Sequence, residues 1–139
     1  MNDIIINKVQ SIQRCIQRAR EEYSQAGSGF AADYSRQDAA ILNITRACEQ
    51  AIDLANHVIK RYKIGIPNSS SDAFMLLARQ QCINETLATR MKAMVGFRNI
   101  AVHQYQQLDI AILTTIITVD LDELVAFTQA IVSYVRENP

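Results

Sequence analysis

No tryptophan occurs in the 139 residues, and there are only two prolines and four glycines. So few chain breakers leave few obligatory turns, which favours an all-helical protein over a sheet protein. The longest uninterrupted apolar runs are a few residues, far short of the roughly 20 that a membrane-spanning helix needs. The N-terminus lacks a basic lead ahead of a long apolar core, so it does not read as a secretory signal. Cysteine is scarce and odd in number: Cys15, Cys48 and Cys82 lie far apart, with no CxxC pair and no Cys/His cluster. Reduced, buried thiols in a cytoplasmic protein are the expectation, and a metal site is not. Net charge is absent as well, fourteen basic residues balancing fourteen acidic ones. Broad nucleic-acid binders are usually basic, so a neutral chain points to a focused patch, or to two half-patches joined by dimerisation. Nor is there a Gly-rich phosphate loop, a paired-carboxylate metal motif or a Gly-x-Ser-x-Gly elbow.

What is present is an apolar fraction of 49% in a chain of ordinary length for one core. Residues 1–139 are therefore expected to form a single domain. Ile5, Val9, Ile12, Ile16, Ala19 and Tyr23 step by threes and fours, which predicts a helix over about 2–25, capped by Asn2 or Asp3 and stopped at Ala26-Gly27-Ser28-Gly29. Ile41, Ile44, Cys48, Ala51, Ala55, Val58 and Tyr62 repeat the step, predicting a second helix that starts between Ala32 and Ser35 and runs to about Arg61. Its small-residue seam suits close approach of the first helix in an antiparallel hairpin. Glu49, Asp53 and His57, four apart, make a polar ridge beside that seam, either plain surface or a polar wall for a site or a dimer contact. A loop follows over 64–71, then a short helix capped by Ser71 or Asp72, a break near Gln80-Gln81, and a helix over about 84–102. Asp109 and Asp120 are expected to cap two further helices, the first over 110–118 and the last carrying Leu121, Leu124, Val125, Thr128, Ile131, Val132 and Val135 inward.

The segment Arg98-Asn99-Ile100-Ala101-Val102-His103-Gln104-Tyr105 concentrates the chemistry. Taking Leu87 as origin on an ideal helix, Met91 falls at about 40°, Met94 at about 340°, Val95 at about 80°, Ala101 at about 320°, Val102 at about 60° and Arg98 at about 20°. Arg98 thus sits in the middle of an apolar arc. A guanidinium is almost never buried unpaired, so it either snorkels out or faces a surface that needs its charge. His103 lies about 140° from Arg98 on a straight helix. For both to serve one site, the helix must end or bend near Val102 and His103, or two copies must meet. Gln104-Tyr105-Gln106-Gln107 ahead of Asp109 reads as a helix ending.

This R-x4-H-x-Y pattern, with a polar residue directly after the Arg, resembles the signature of the HEPN superfamily and, more narrowly, of the HepT-type toxins. The likeness extends over nearly the whole chain. It includes the helix order from about residue 46 to 134 and the phrase Arg46-Ala47-Cys48-Glu49-Gln50-Ala51-Ile52-Asp53-Leu54-Ala55-Asn56. The resemblance implies an up-and-down bundle of about four to six helices, homodimeric, acting as the toxin of a type VII HepT/MntA toxin–antitoxin pair. It places catalysis at Arg98 and His103 with support from Asn99, and a possible site wall at Asp53 and Glu49. It further implies an MntA-like nucleotidyltransferase antitoxin that silences the toxin by attaching AMP to the motif tyrosine, here Tyr105. No cofactor and no membrane partner are expected; the substrate would be RNA, such as tRNA or mRNA.

The residues support that chemistry on their own terms. An imidazole exchanges protons near neutral pH, and a guanidinium stays charged and grips phosphate oxygens in pairs. RNA supplies its own nucleophile, the 2′-hydroxyl, so no Ser or Cys is required. Such cleavage uses two proton-transfer groups, and the motif holds one; the other histidine, His57, falls on a different helix. A two-fold dimer would bring a second His103 and a second Arg98. Two other readings compete: a non-catalytic HEPN adaptor or nucleotide-binding partner of a nucleotidyltransferase, and a plain dimeric helical scaffold. An intact Arg98, His103 and Tyr105 favour the enzyme, because an adaptor has no need of a titrating imidazole beside a guanidinium.

Overall fold

A computed structural model describes residues 2–105 and 108–139. Helix α1, Asp3–Ala26, is capped by Asn2, whose side chain accepts from the Ile5 amide. The chain then makes a 3₁₀ turn, Gly27–Ala32, opened by Gly27 at a φ of 58°. Phe30 of this turn is buried edge-on against Tyr23, with ring centroids 5.0 Å apart. Helix α2, Tyr34–Arg61, starts on an Asp33 cap and returns antiparallel to α1. The direction is visible in the cross-links: Asn2 meets His57, Lys8 meets Asp53, and Glu22 meets Arg36. Ala47, Ala51 and Ala55 are fully buried along α2, and their small side chains let neighbouring backbones come close.

Helix α3, Ser70–Arg79, is capped by Ser69 rather than by Ser71 or Asp72. Asp72 instead reaches back to the Asn68 amide, so the cap and the acidic residue three positions on bind each other's end of the turn. The helix ends with Gln81 at a φ of 63°, the Cys82 amide donating to Leu77 and the Gln81 amide to Ala78. That is a left-handed helix stop built without glycine. Helix α4, Glu85–His103, is capped by Asn84. It runs antiparallel to α2, since the Cys48 thiol donates to the Met94 carbonyl while Tyr105 meets Asp38.

The expected pair of capped helices after Asp109 is a single helical path. Asp109 caps α5, Ile110–Thr115, which passes through a π-helical turn, Ile116–Asp120, into α6, Leu121–Glu137. Asp120 has helical backbone angles and its side chain caps nothing, so the expectation of a cap there is corrected. The extra residue of the π turn, marked by the Leu121 amide donating to Ile116, rotates the following side chains so that Ile116, Ile117 and Leu121 all face the core. Phe74 of α3 and Phe127 of α6, both fully buried, meet edge-to-face at 5.3 Å. The buried side chains form one continuous cluster across all six helices and the two irregular turns. No strand occurs among the described residues, and no helix is long and apolar enough to cross a membrane.

The two caps make a discriminating pair. Asn84→Ala should cost about 1 kcal/mol in urea denaturation, the usual loss for a cap. Asp120→Ala should cost less than half as much, because no free helix start exists there. Equal losses would restore two separate helices.

Candidate active site

Arg98 lies on the α4 face that packs toward α2, between buried Met94, Val95 and Ala101. The residue is half-buried, and its Nε is buried with no hydrogen-bond partner. No acidic side chain among the described residues pairs with it. Its charge is nonetheless felt inside the fold: it opposes the burial that pushes the Cys48 thiol up to about 12. An unpaired guanidinium at the edge of a core is costly unless something anionic meets it.

Helix α4 continues unbroken through Val102 and ends with His103 as its last residue. The Gln104 amide still donates to Ile100 at 2.8 Å. The bend that would have swung His103 onto the Arg98 face within one chain is therefore absent, and the two stay about 140° apart on the wheel. His103 shares its face with Asn99 instead, four residues back; with Ile100 and Gln104 they line a shallow depression of about 210 Å³. Asn99 and His103 are both exposed.

Val102 departs from the sequence-based expectation. It belongs to the apolar arc by angle, yet it is 51% exposed. Ala101 beside it is buried and Tyr105 beyond it meets α2, so at this helix end an inward angle does not by itself mean burial. Ile100 and Tyr105 are open to solvent on the same turn, and Leu42 is open on α2, one turn beyond Asp38. Apolar groups exposed this close to a charged motif form a surface suited to contact with another chain.

Tyr105 lies just past the end of α4, and its hydroxyl donates to the Asp38 carboxylate of α2. Sequence reasoning passed over Asp38, which carries no local signal. Gln106 and Gln107, read as part of the helix ending, lie outside the described residues.

The polar ridge of α2 makes contacts with the start of the chain. Asp53 is exposed and pairs with Lys8 of α1 at 3.5 Å, and His57 lies 3.2 Å from the Asn2 side chain. Burial and the surrounding cations Arg61, Lys8 and Lys60 lower the affinity of His57 for a proton. Glu49 is exposed, and neither it nor Asp53 bonds to Arg98, His103 or Tyr105 among the described residues. Among the described residues no group of three His, Cys, Asp or Glu side chains is placed to hold a metal ion.

Cys15 is half-buried while Cys48 and Cys82 are buried, and all three are free thiols. Cys48 provides a pH test of the core beside Arg98. Its folded-state pKa is raised from 9.0 to about 12, so its neutral form favours folding below pH 9 and that contribution is lost as pH climbs toward 12. Cys48→Ala should therefore show a shallower fall in urea midpoint between pH 8 and 11 than the wild type. Parallel declines would refute the assignment.

Comparison with known proteins places this arrangement in a family. The family model described as ribonuclease HepT-like matches residues 12–131. The chain is 46% identical over 131 residues to the mRNA nuclease HepT of Shewanella oneidensis, covering 94% of this chain and 98% of that one. A tRNA nuclease HepT of Aphanizomenon flos-aquae is 31% identical over 61 residues, 44% of this chain and 42% of its own. Among solved structures, a tri-AMPylated Shewanella oneidensis HEPN toxin in complex with MNT antitoxin superposes with a TM-score of 0.91 at 44% identity, over 96% of this chain and 99% of that one. The Bacillus subtilis cytosolic protein YutE shares the fold, with a TM-score of 0.70 at 20% identity, over 92% of this chain and 90% of that one. With its motif helix, its bundle and a family match across most of its length, this chain belongs to the ribonuclease HepT-like family of HEPN proteins.

Proposed function

We propose that this chain is the toxin of a HepT/MntA toxin–antitoxin pair and cuts RNA by metal-independent transesterification in a site shared by two copies. The observation that carries the proposal is the half-buried Arg98 without an anionic partner, on a helix too straight to bring His103 beside it. Two copies meeting about the exposed end of α4 would cover Ile100 and Val102 and set the Arg98 of each near the His103 of the other. The paired guanidiniums would then hold the scissile phosphate. One imidazole would take the 2′-hydroxyl proton as it attacks phosphorus; the second would give a proton to the departing 5′-oxygen. Asn99, on the His103 face, would support the bound backbone. The named nuclease relatives act on mRNA and tRNA, which supports RNA as the substrate class.

The solved relatives with MNT antitoxin support an MntA-like nucleotidyltransferase as the second partner. Tyr105, half-exposed two residues past His103, is the acceptor we assign for AMP. A phosphodiester placed there would put negative charge and bulk at the entrance used by RNA.

Purified protein should cleave RNA in the presence of EDTA and leave 2′,3′-cyclic phosphate ends. Arg98→Ala and His103→Ala should each lower the rate by about 10²-fold or more. Activity abolished by EDTA and restored by magnesium would refute the metal-independent route. Light scattering at micromolar concentration should give the mass of a dimer, and a stable monomer would remove the composite site.

A further inference from the structure

We infer that Asp38 holds the Tyr105 phenol in place and accepts its proton during nucleotidyl transfer, an inference that rests on the assignment of Tyr105 as the AMP acceptor. The two residues are 67 apart in sequence and are brought together only by the antiparallel packing of α4 on α2. Asp38 has no other hydrogen bond or ion pair among the described residues. It is not the cap of α2, which is Asp33, and the nearby Arg36 is already taken by Asp33, Glu22 and Gln25. A carboxylate left out of every local ion pair and aimed at one hydroxyl is available for chemistry.

A neutral phenol, with a reference pKa near 10, is a weak nucleophile at neutral pH. With the Tyr105 O–H donated to Asp38, the remaining lone pairs of Oη are left for an incoming phosphorus, and the ring is open enough for a second enzyme to reach. Tyr105 Oη bonds to the α-phosphorus of a nucleoside triphosphate, the bond from that phosphorus to the bridging oxygen breaks, and pyrophosphate leaves with the electron pair. The Oη proton passes to Asp38 and from there, since Asp38 is exposed, to water. Once the ester forms, Oη has no proton to donate, so the Asp38 contact is lost and the turn after His103 is freed from α2.

The test uses the full chain with the MNT antitoxin of Shewanella oneidensis, ATP and magnesium, and reads intact mass against time. Wild type should gain AMP units and Tyr105→Phe should gain none. Asp38→Asn should slow the initial rate at pH 7.5 by about 10²-fold, and Asp38→Glu should recover most of it. Between pH 8 and 10 the deficit of Asp38→Asn should shrink as the phenol ionises unaided. If Asp38→Asn does not fold by circular dichroism, Asp38→Ser carries the same comparison. A wild-type rate in Asp38→Asn, or a deficit that is constant with pH and not repaired by Glu, overturns the proton-acceptor role while leaving the handle intact. No mass gain in wild type, or an equal gain in Tyr105→Phe, overturns the handle and this inference with it.

Discussion

A guanidinium half-sunk into an apolar helix face, with no carboxylate to meet it, is the constraint around which the rest of the molecule makes sense. Within water-excluded surroundings an uncompensated charge is expensive, and a fold keeps one only where something outside the chain repays the desolvation. The bundle around Arg98 is otherwise conventional. Capped helices, small-residue seams and a continuous apolar core hold α4 against α2. The strain on polar satisfaction is concentrated at one place, and that place carries the motif.

Straightness of α4 matters as much as the charge. Had the helix bent before His103, a single chain could have assembled cation and imidazole. Because the hydrogen-bond ladder runs on to the Gln104 amide, the motif divides between two faces: Arg98 inward, Asn99 and His103 outward. Ile100 and Val102 stay exposed on that final turn. A motif split in this way suits an enzyme controlled by association, since neither half has both proton transfer and phosphate binding on its own.

In the function proposed above, the turn past His103 would add a second layer of control. Tyr105 is tied to α2 through Asp38, so the spot where the helix ends is also where the two antiparallel helices communicate. Any group added to the phenol changes the local charge and dissolves the tie together. On the α2 ridge, Asp53 pairs with Lys8 and His57 lies beside Asn2.

Much of this could be read from residue order. Three-and-four spacing gave α1, α2 and α4 to within a residue or two, because burying one stripe of a helix leaves that periodicity in any sequence. Asn2 and Asp109 announced their helix starts through the side-chain acceptors that free amides require. The R-x4-H-x-Y residues and their 140° separation were visible too. Other features depended on contacts between segments far apart in the chain. Asp120 carried a cap's identity but sits inside a continuous helix, because core packing of Ile116, Ile117 and Leu121 favours a π turn over a break. Val102 had an inward angle but stays exposed. Asp53 lies on α2, the helix that packs against the motif helix, yet pairs with Lys8 of α1, and Asp38, which carried no local signal, was brought to Tyr105. Local order sets which side of a helix a residue occupies; only the packing of α4 against α2 sets what stands opposite it, since that depends on relative height and direction of two helices that the intervening sequence does not encode by spacing.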